Sequence, residues 1–226
     1  GLGGYELPAS GRMLEPGIPL LARLIEDSAE PVTVVAIGPL TDIALLMNEH
    51  PTTARKIERL VIMGGGTLDV PGNVTAAAEF NIYYDPDAAA RVFDFGVPIT
   101  MVGLNVTHRA LVGSGHLTRL LASGGPISHM VAHIVGGYRD SYSEEEAMAQ
   151  HDSLAVAAAL DVGILGTRHL HVDVENVGRL TAGMTVVDYR IDAPAGNCDV
   201  AVDIDVELFR DLLDTRLTAL DQTLKR

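Results

Sequence analysis

"PVTVVAIGPLTDIALLMNEHP", residues 31 to 51, decides the fold. Its first half, Val32 to Ile37, is a run rich in β-branched residues that reads as a buried strand closed by Gly38-Pro39. Its second half repeats apolar residues at helical spacing, with Ile43, Ala44 and Met47 on one face and Thr41 placed to cap the helix. A buried strand running straight into such a helix is the unit from which parallel sheets covered by helices are built.

The same alternation continues outward. "KIERLVIMGGG" turns from a helical tail into a strand over Leu60 to Met63, and "VPITMVGLNVT" supplies a third buried strand. Between them, "DPDAAARVFDFG" reads as a helix opened by Asp85-Pro86, since an acid followed by proline suits a first helical turn. The region from Ala110 to Ala149 is polar, glycine-broken and mostly helical in pattern, and "DSLAVAAALD" is a well-marked apolar helix. "HLHVDVEN", "TAGMTVVDYR" and "CDVAVDIDVE" alternate as strands do and suggest a late antiparallel addition, before an amphipathic helix from Glu207. No internal repeat, low-complexity tract or linker interrupts the chain, so the expectation is one domain over residues 1–226, of the α/β class, with a mostly parallel sheet flanked by helices.

Composition narrows the partners. At 226 residues and 47% hydrophobic content the chain can bury a large core. Sixteen basic against thirty acidic residues give a formal charge of −14, which repels nucleic-acid backbones and anionic membranes and favours a neutral small molecule or a metal cation. The single Cys198 allows neither an internal disulfide nor a cysteine-based zinc site and suits a reducing cytoplasm. No apolar run reaches the length of a membrane span, and the first residues lack a signal-peptide layout. "GLGGYELPASG" begins without methionine, in glycine-rich loop sequence that reads like the interior of a larger domain.

In open α/β sheets ligands gather at the C-terminal ends of the parallel strands, where loops and helix N-termini converge. Four loops offer groups there: Ile37-Gly38-Pro39, Met63 to Gly66, Asn105 to His108, and "QHDSLA" at the start of the alanine-rich helix. Each has a plain structural alternative. Gly64-Gly65-Gly66 lacks the Lys-Ser/Thr ending of a phosphate loop and reads as a tight turn. Asp152 reads equally as a helix cap, and Glu79 and Asn81, two apart and so on one face of any strand, as solvated loop residues. His108, His116, His129 and His133 share no spacing and read as surface or packing residues, while His169 and His171 alternate along a strand without an acid beside them to complete a metal site. "SEEEA" reads as a solvated helix start.

Together, "GPLTDIALLMNEHP", "ERLVIMGGG", "GNVTAAAEFNIYYDPDAAARVF", "ITMVGLNVTHRAL", "HDSLAVAAALD" and "GRLTAGMTVVDYR" resemble, in order and approximate spacing, the inosine-uridine-preferring nucleoside hydrolases. "AEFNIYYDPDAA" and "HDSLA" are the most specific parts of the resemblance, which runs from about Pro31 to the C-terminus. It implies a parallel-sheet α/β enzyme, a cytoplasmic homodimer or homotetramer, that hydrolyses the N-glycosidic bond of ribonucleosides with a bound calcium ion. By the same resemblance Asn73 and Glu79 would hold the 5′-hydroxyl region of the ribose, Asn81 its 2′-hydroxyl side, and Met63 would line the sugar pocket. Asp152 would ligate calcium and touch the 3′-hydroxyl, with the backbone carbonyl of Ile37 as a further ligand. His151 would help the departing base accept a proton, Tyr138 and Tyr142 would approach the base, and Phe80 would pack rather than touch substrate.

That residue set is chemically coherent. Breaking a ribosyl bond passes through an oxocarbenium-like state that fixed carboxylate and amide oxygens stabilise. Calcium takes oxygen ligands, and a histidine suits proton donation near neutral pH. The family's Asp-rich "DTDxGxDD" loop does not occur in these residues, so the expectation is an N-terminally truncated member, lacking the first strand-helix units, inactive alone and with an apolar sheet edge. Two rivals remain at this point: a module that binds a nucleoside or ribose without cleaving it or merely assembles, and a phosphate-binding enzyme using the glycine run.

Overall fold

A computed structural model describes residues 14–142 and 147–224, and the opening "GLGGYELPASG" and most of "SEEEA" lie outside the described residues. Helix α1 (Gly17–Asp27) precedes strand β1 (Val32–Ala36), α2 (Thr41–Glu49), the short α3 (Pro51–Ala54) and β2 (Ile57–Met63). Then come α4 (Phe80–Tyr84), α5 (Pro86–Phe93), β3 (Ile99–Val102), α6 (Leu104–Thr107) and β4 (Leu111–Gly113). Helices α7 (Ser114–Ser123) and α8 (Pro126–Tyr142) lead to β5 (Ala147–Ala149) and α9 (His151–Leu160), and β6 (Leu165–Glu175), β7 (Met184–Asp188), β8 (Cys198–Ile204) and α10 (Val206–Leu224) close the chain.

The six-stranded sheet has the order β1-β2-β3-β8-β6-β7, with β1, β2, β3 and β8 parallel and β6 and β7 antiparallel. The expected α/β class and late antiparallel addition are therefore present, with β8 joining the parallel half. Alternation along β2 divides the core. Leu60 and Ile62 face the side covered by α1, α2 and α5, while Val61 and Met63 face Leu154, Ile164 and Phe209 on the other. Both faces being buried explains the nearly continuous apolar run of this strand. Cys198 is fully buried beside β3, and burial pushes its thiol up to about 12.

One local expectation needs correction. Thr41 does not cap α2: Leu40 is the N-cap residue, and the Thr41 hydroxyl donates instead to Asp85 Oδ2 at 2.6 Å. Asp85 does cap α5, accepting the Ala88 N–H at 3.1 Å ahead of Pro86, so this contact ties two helix starts together. The region Ala110 to Ala149 is mostly helical, as its pattern indicates, through α7 and α8, and its two ends, β4 and β5, pair as a separate antiparallel ribbon.

The second half of β6 leaves β8 and pairs only with β7. Asn197 Nδ2 donates to Val172 O at 3.0 Å and to Phe93 O, at the end of α5, at 3.4 Å. Asn176 Nδ2 donates to Asp87 Oδ1, in the first turn of α5, at 2.8 Å. The hairpin thus runs back along α5 from its last turn to its first. Because α5 lies between parallel strands β2 and β3, the hairpin tip returns to the end of the sheet where β2 finishes.

Candidate active site

At that end, Met63 closes β2 and Gly64-Gly65-Gly66 turns the chain away, with Gly65 at φ 71, a left-handed conformation suited to glycine. Glu79, 3% exposed, reaches this turn: its Oε2 accepts the Gly65 N–H at 3.0 Å. The same carboxylate caps α4 by accepting the N–H groups of Asn81 at 2.9 Å and Ile82 at 3.2 Å. Glu79 and Asn81 are therefore not neighbours on a strand face, as their spacing suggests, but a helix cap and a residue of the first turn. Asn81 Nδ2 in turn donates to the Met63 carbonyl at 3.1 Å and lies 3.4 Å from its sulfur. Asn73 Oδ1 accepts the Phe80 N–H at 3.0 Å, so Asn73, Glu79, Asn81 and Met63 form one hydrogen-bonded unit. Phe80 does not pack into the core: it is 49% exposed and tilts against Tyr84, because its position on the first turn of α4 faces away from the sheet.

The second group arrives on α9. Arg59, near the start of β2, donates to the Ala159 carbonyl near the end of α9 at 2.9 Å, so α9 runs antiparallel to β2 and opens at the same end of the sheet. Gln150, not Asp152, is the N-cap residue and makes no side-chain cap bond, which removes the plain structural reading of Asp152. His151 Nδ1 lies 2.8 Å from the hydroxyl of the fully buried Thr107, after β3. His108 was expected among the surface or packing histidines, yet its ring meets His151 edge-on at 5.6 Å. Both neighbours sit in the third of the four loops singled out from sequence.

The electrostatics connect the groups. Burial raises the Glu79 carboxyl above the ordinary glutamate value despite three backbone donors, and the charge of Asp152 adds to the rise. Asp152 is exposed on one side, but partial desolvation raises its carboxyl too. Burial, then the nearby His108, lowers His151 and favours its neutral form. Two carboxylates that feel each other and whose charged forms are under-solvated are a natural seat for a cation or for sugar hydroxyls.

Other expectations resolve as follows. His116 is buried with Nε2 2.9 Å from Asp214 Oδ1 on α10, a packing role away from this end. His169 and His171 each lie near their own aspartate, Asp199 at 2.8 Å and Asp173 at 3.2 Å, and no group of three or more His, Cys, Asp or Glu side chains fit to hold a metal occurs among the described residues. Tyr138 and Tyr142 belong to the last turns of α8, and their side chains lie outside the described residues. For calcium, the fit is right in kind and small in number. Asp152 offers a carboxylate, and nothing among the described residues donates to the Ile37 carbonyl just past β1, whereas the ion takes six to eight oxygens.

Comparison with known proteins adds an independent result. The family model described as "Inosine-uridine preferring nucleoside hydrolase" matches residues 1–211. The Salmonella gallinarum protein named pyrimidine-specific ribonucleoside hydrolase RihA is 42% identical over 224 residues, covering 96% of this chain and 71% of its own. Among solved structures, a purine-preferring ribonucleoside hydrolase from Gardnerella vaginalis superposes with TM-score 0.88 at 30% identity, covering 98% of this chain and 72% of that one. The plant nucleoside hydrolase PpNRh1 gives TM-score 0.85 at 30% identity, covering 96% and 72%.

Proposed function

This chain belongs to the inosine-uridine preferring nucleoside hydrolases, and from that footing we propose that it hydrolyses the N-glycosidic bond of ribonucleosides to free base and ribose with the help of calcium. Pyrimidine ribonucleosides are the preferred class, a choice supported by the 42% identity to a relative named pyrimidine-specific. The observation that carries the reading is the convergence, at one end of the sheet, of Asp152, in the first turn of α9, and Glu79, in the hydrogen-bonded unit built around Met63. A ribose lying between them meets acceptors on both sides.

In this reading Asn73 and Glu79 take the 5′-hydroxyl region, Asn81 the 2′-hydroxyl side, and Met63 the wall beneath the sugar. Acceptor oxygens fixed by helix capping need no rearrangement as positive charge develops on the ribose, so they stabilise the transition state more than the ground state. Asp152 and the Ile37 carbonyl would hold part of the calcium shell and orient the 3′-hydroxyl; when bound, the ion supplies charge that acidifies water. His151, held at Nδ1 by Thr107, would present its other ring nitrogen to the leaving base, and Tyr138 and Tyr142 are assigned to the base by the family resemblance alone. Assembly as a homodimer or homotetramer and cytoplasmic nucleoside salvage belong to the same proposal and are supported by the family alone.

The test is ribose release from uridine, cytidine and inosine by the protein at its natural length, with and without calcium. Asp152→Ala should abolish calcium-dependent release and weaken calcium binding in calorimetry by at least about tenfold. Unchanged calcium affinity in that variant would overturn the assignment.

A further inference from the structure

"GRLTAGMTVVDYR" is a family-like segment to which the reading above gives no task. It forms the tip and second strand of the β6-β7 hairpin, and its Thr185 is buried, at 4% exposure, against the glycine turn after β2. The Thr185 Oγ1 accepts the Gly66 N–H at 2.9 Å and donates to the Gly66 carbonyl at 2.7 Å, so one hydroxyl satisfies both backbone groups of a residue 119 positions away. The neighbouring Gly65, at φ 71, is the residue whose N–H reaches Glu79 Oε2. A methyl group at Gly65 would fall 2.6 Å from Thr185 Cγ2, so the strand and the turn are in close contact on both residues. Nearby, a side chain at Gly183 would come within 2.7 Å of Tyr83 Cα, which brings the hairpin tip equally close to α4, the helix that Glu79 caps.

We propose that Thr185 is a positioning residue for the ribose end of the site: through its paired hydrogen bonds to Gly66 it fixes the peptide planes on both sides of that residue, and so holds the glycine turn in which the adjacent Gly65 N–H meets the carboxylate of Glu79. The antiparallel hairpin then serves as a brace for the sugar-binding carboxylate. This rests on the assignment of Glu79 to the 5′-hydroxyl region. A buried serine or threonine that closes both the N–H and the C=O of one residue restrains the two peptide planes flanking it, whereas valine of the same shape leaves a buried N–H and C=O without partners.

The experiment compares kcat/KM for uridine and for 5′-deoxyuridine in the protein at its natural length, supplied with calcium. Glu79→Gln should reduce the preference for uridine, which reports the assignment itself. Thr185→Val should lower kcat/KM for uridine on the order of tenfold while changing 5′-deoxyuridine much less, and Thr185→Ser, which keeps the hydroxyl, should restore the preference. If Glu79→Gln leaves the preference intact, the assignment of Glu79 falls. If Glu79→Gln alters it and Thr185→Val slows both substrates equally, or Thr185→Ser behaves like valine, the positioning role falls and the assignment stands. Thr185→Ala carries the same comparison should the valine variant not fold.

Discussion

Glu79 does two jobs with one carboxylate. Three backbone N–H groups fix its orientation, yet it sits in surroundings that disfavour its charge, with Asp152 opposing it. Its folded pKa is raised, so it contributes stability that is full below the unfolded value of 4.5 and is lost as pH rises through the folded value. Glu79→Gln should abolish that loss. The stability of wild type relative to the variant should therefore fall as pH rises above about 4.5 in urea titrations, and a difference that stays flat would exclude the strained carboxylate. At this scale residue type and the family resemblance singled out Glu79, Asn81, His151 and Asp152 as candidates, while the strand-face spacing of Glu79 and Asn81 gave way to a helix cap and its first turn. The sequence offered the loop of Thr107 and His108 but read His108 as a surface or packing residue, and it assigned Thr185 no role, because each acquires its partner only through packing of elements far apart in the chain. A threonine and a histidine at the end of a predicted parallel strand are, in hindsight, the signal that placed two of them.

At the level of elements, the strand-helix units were legible because strands buried on both faces need continuous apolar runs. The β4-β5 ribbon was not, since three-residue strands carry no period to read. Nor could sequence tell that the cap of α8 comes from another helix. Asp221 on α10 is 1% exposed, and its Oδ1 accepts the Ile127 N–H at 2.7 Å while its carboxylate also engages the Ser128 hydroxyl, just past Pro126 where α8 begins. Gly125 fits this arrangement because any side chain there would run into the Asp221 carboxyl. Helix α8 carries Tyr138 and Tyr142 at its other end, so the last helix of the chain anchors the element that bears the candidate base contacts. Asp221→Ala should cost about 2 kcal/mol in chemical denaturation by stranding buried donors at a helix N-terminus. A loss of only a few tenths would mean that solvent reaches those donors.

For the whole molecule, two hydrophobic clusters lie on opposite faces of one sheet, and the candidate site occupies the end where four loops meet. The acidic balance read from composition suits the proposed partners, a neutral sugar and a cation. The membrane expectation is matched only in that no helix among the described residues is long and apolar enough to cross a bilayer. The class of fold was legible because it depends on patterns repeated many times along the chain. The fold-back of the β6-β7 hairpin was not, since a bend in a long strand depends on Asn197 bridging Phe93 and Val172.

Cys198 offers a different use of the same architecture. It is the only thiol in the chain, sits in β8 opposite Leu170 of β6, and is held about 12 in pKa by burial. A thiol so protonated and enclosed cannot meet a reagent until β6 or β3 lets go of β8, so it is a built-in clock for opening of the sheet. Labelling by a chromogenic disulfide under native conditions should proceed at a rate set by the free energy of global unfolding and should slow when substrate or calcium is added. Labelling much faster than the denaturant-derived stability allows would instead show that the seam between the parallel and antiparallel halves opens on its own.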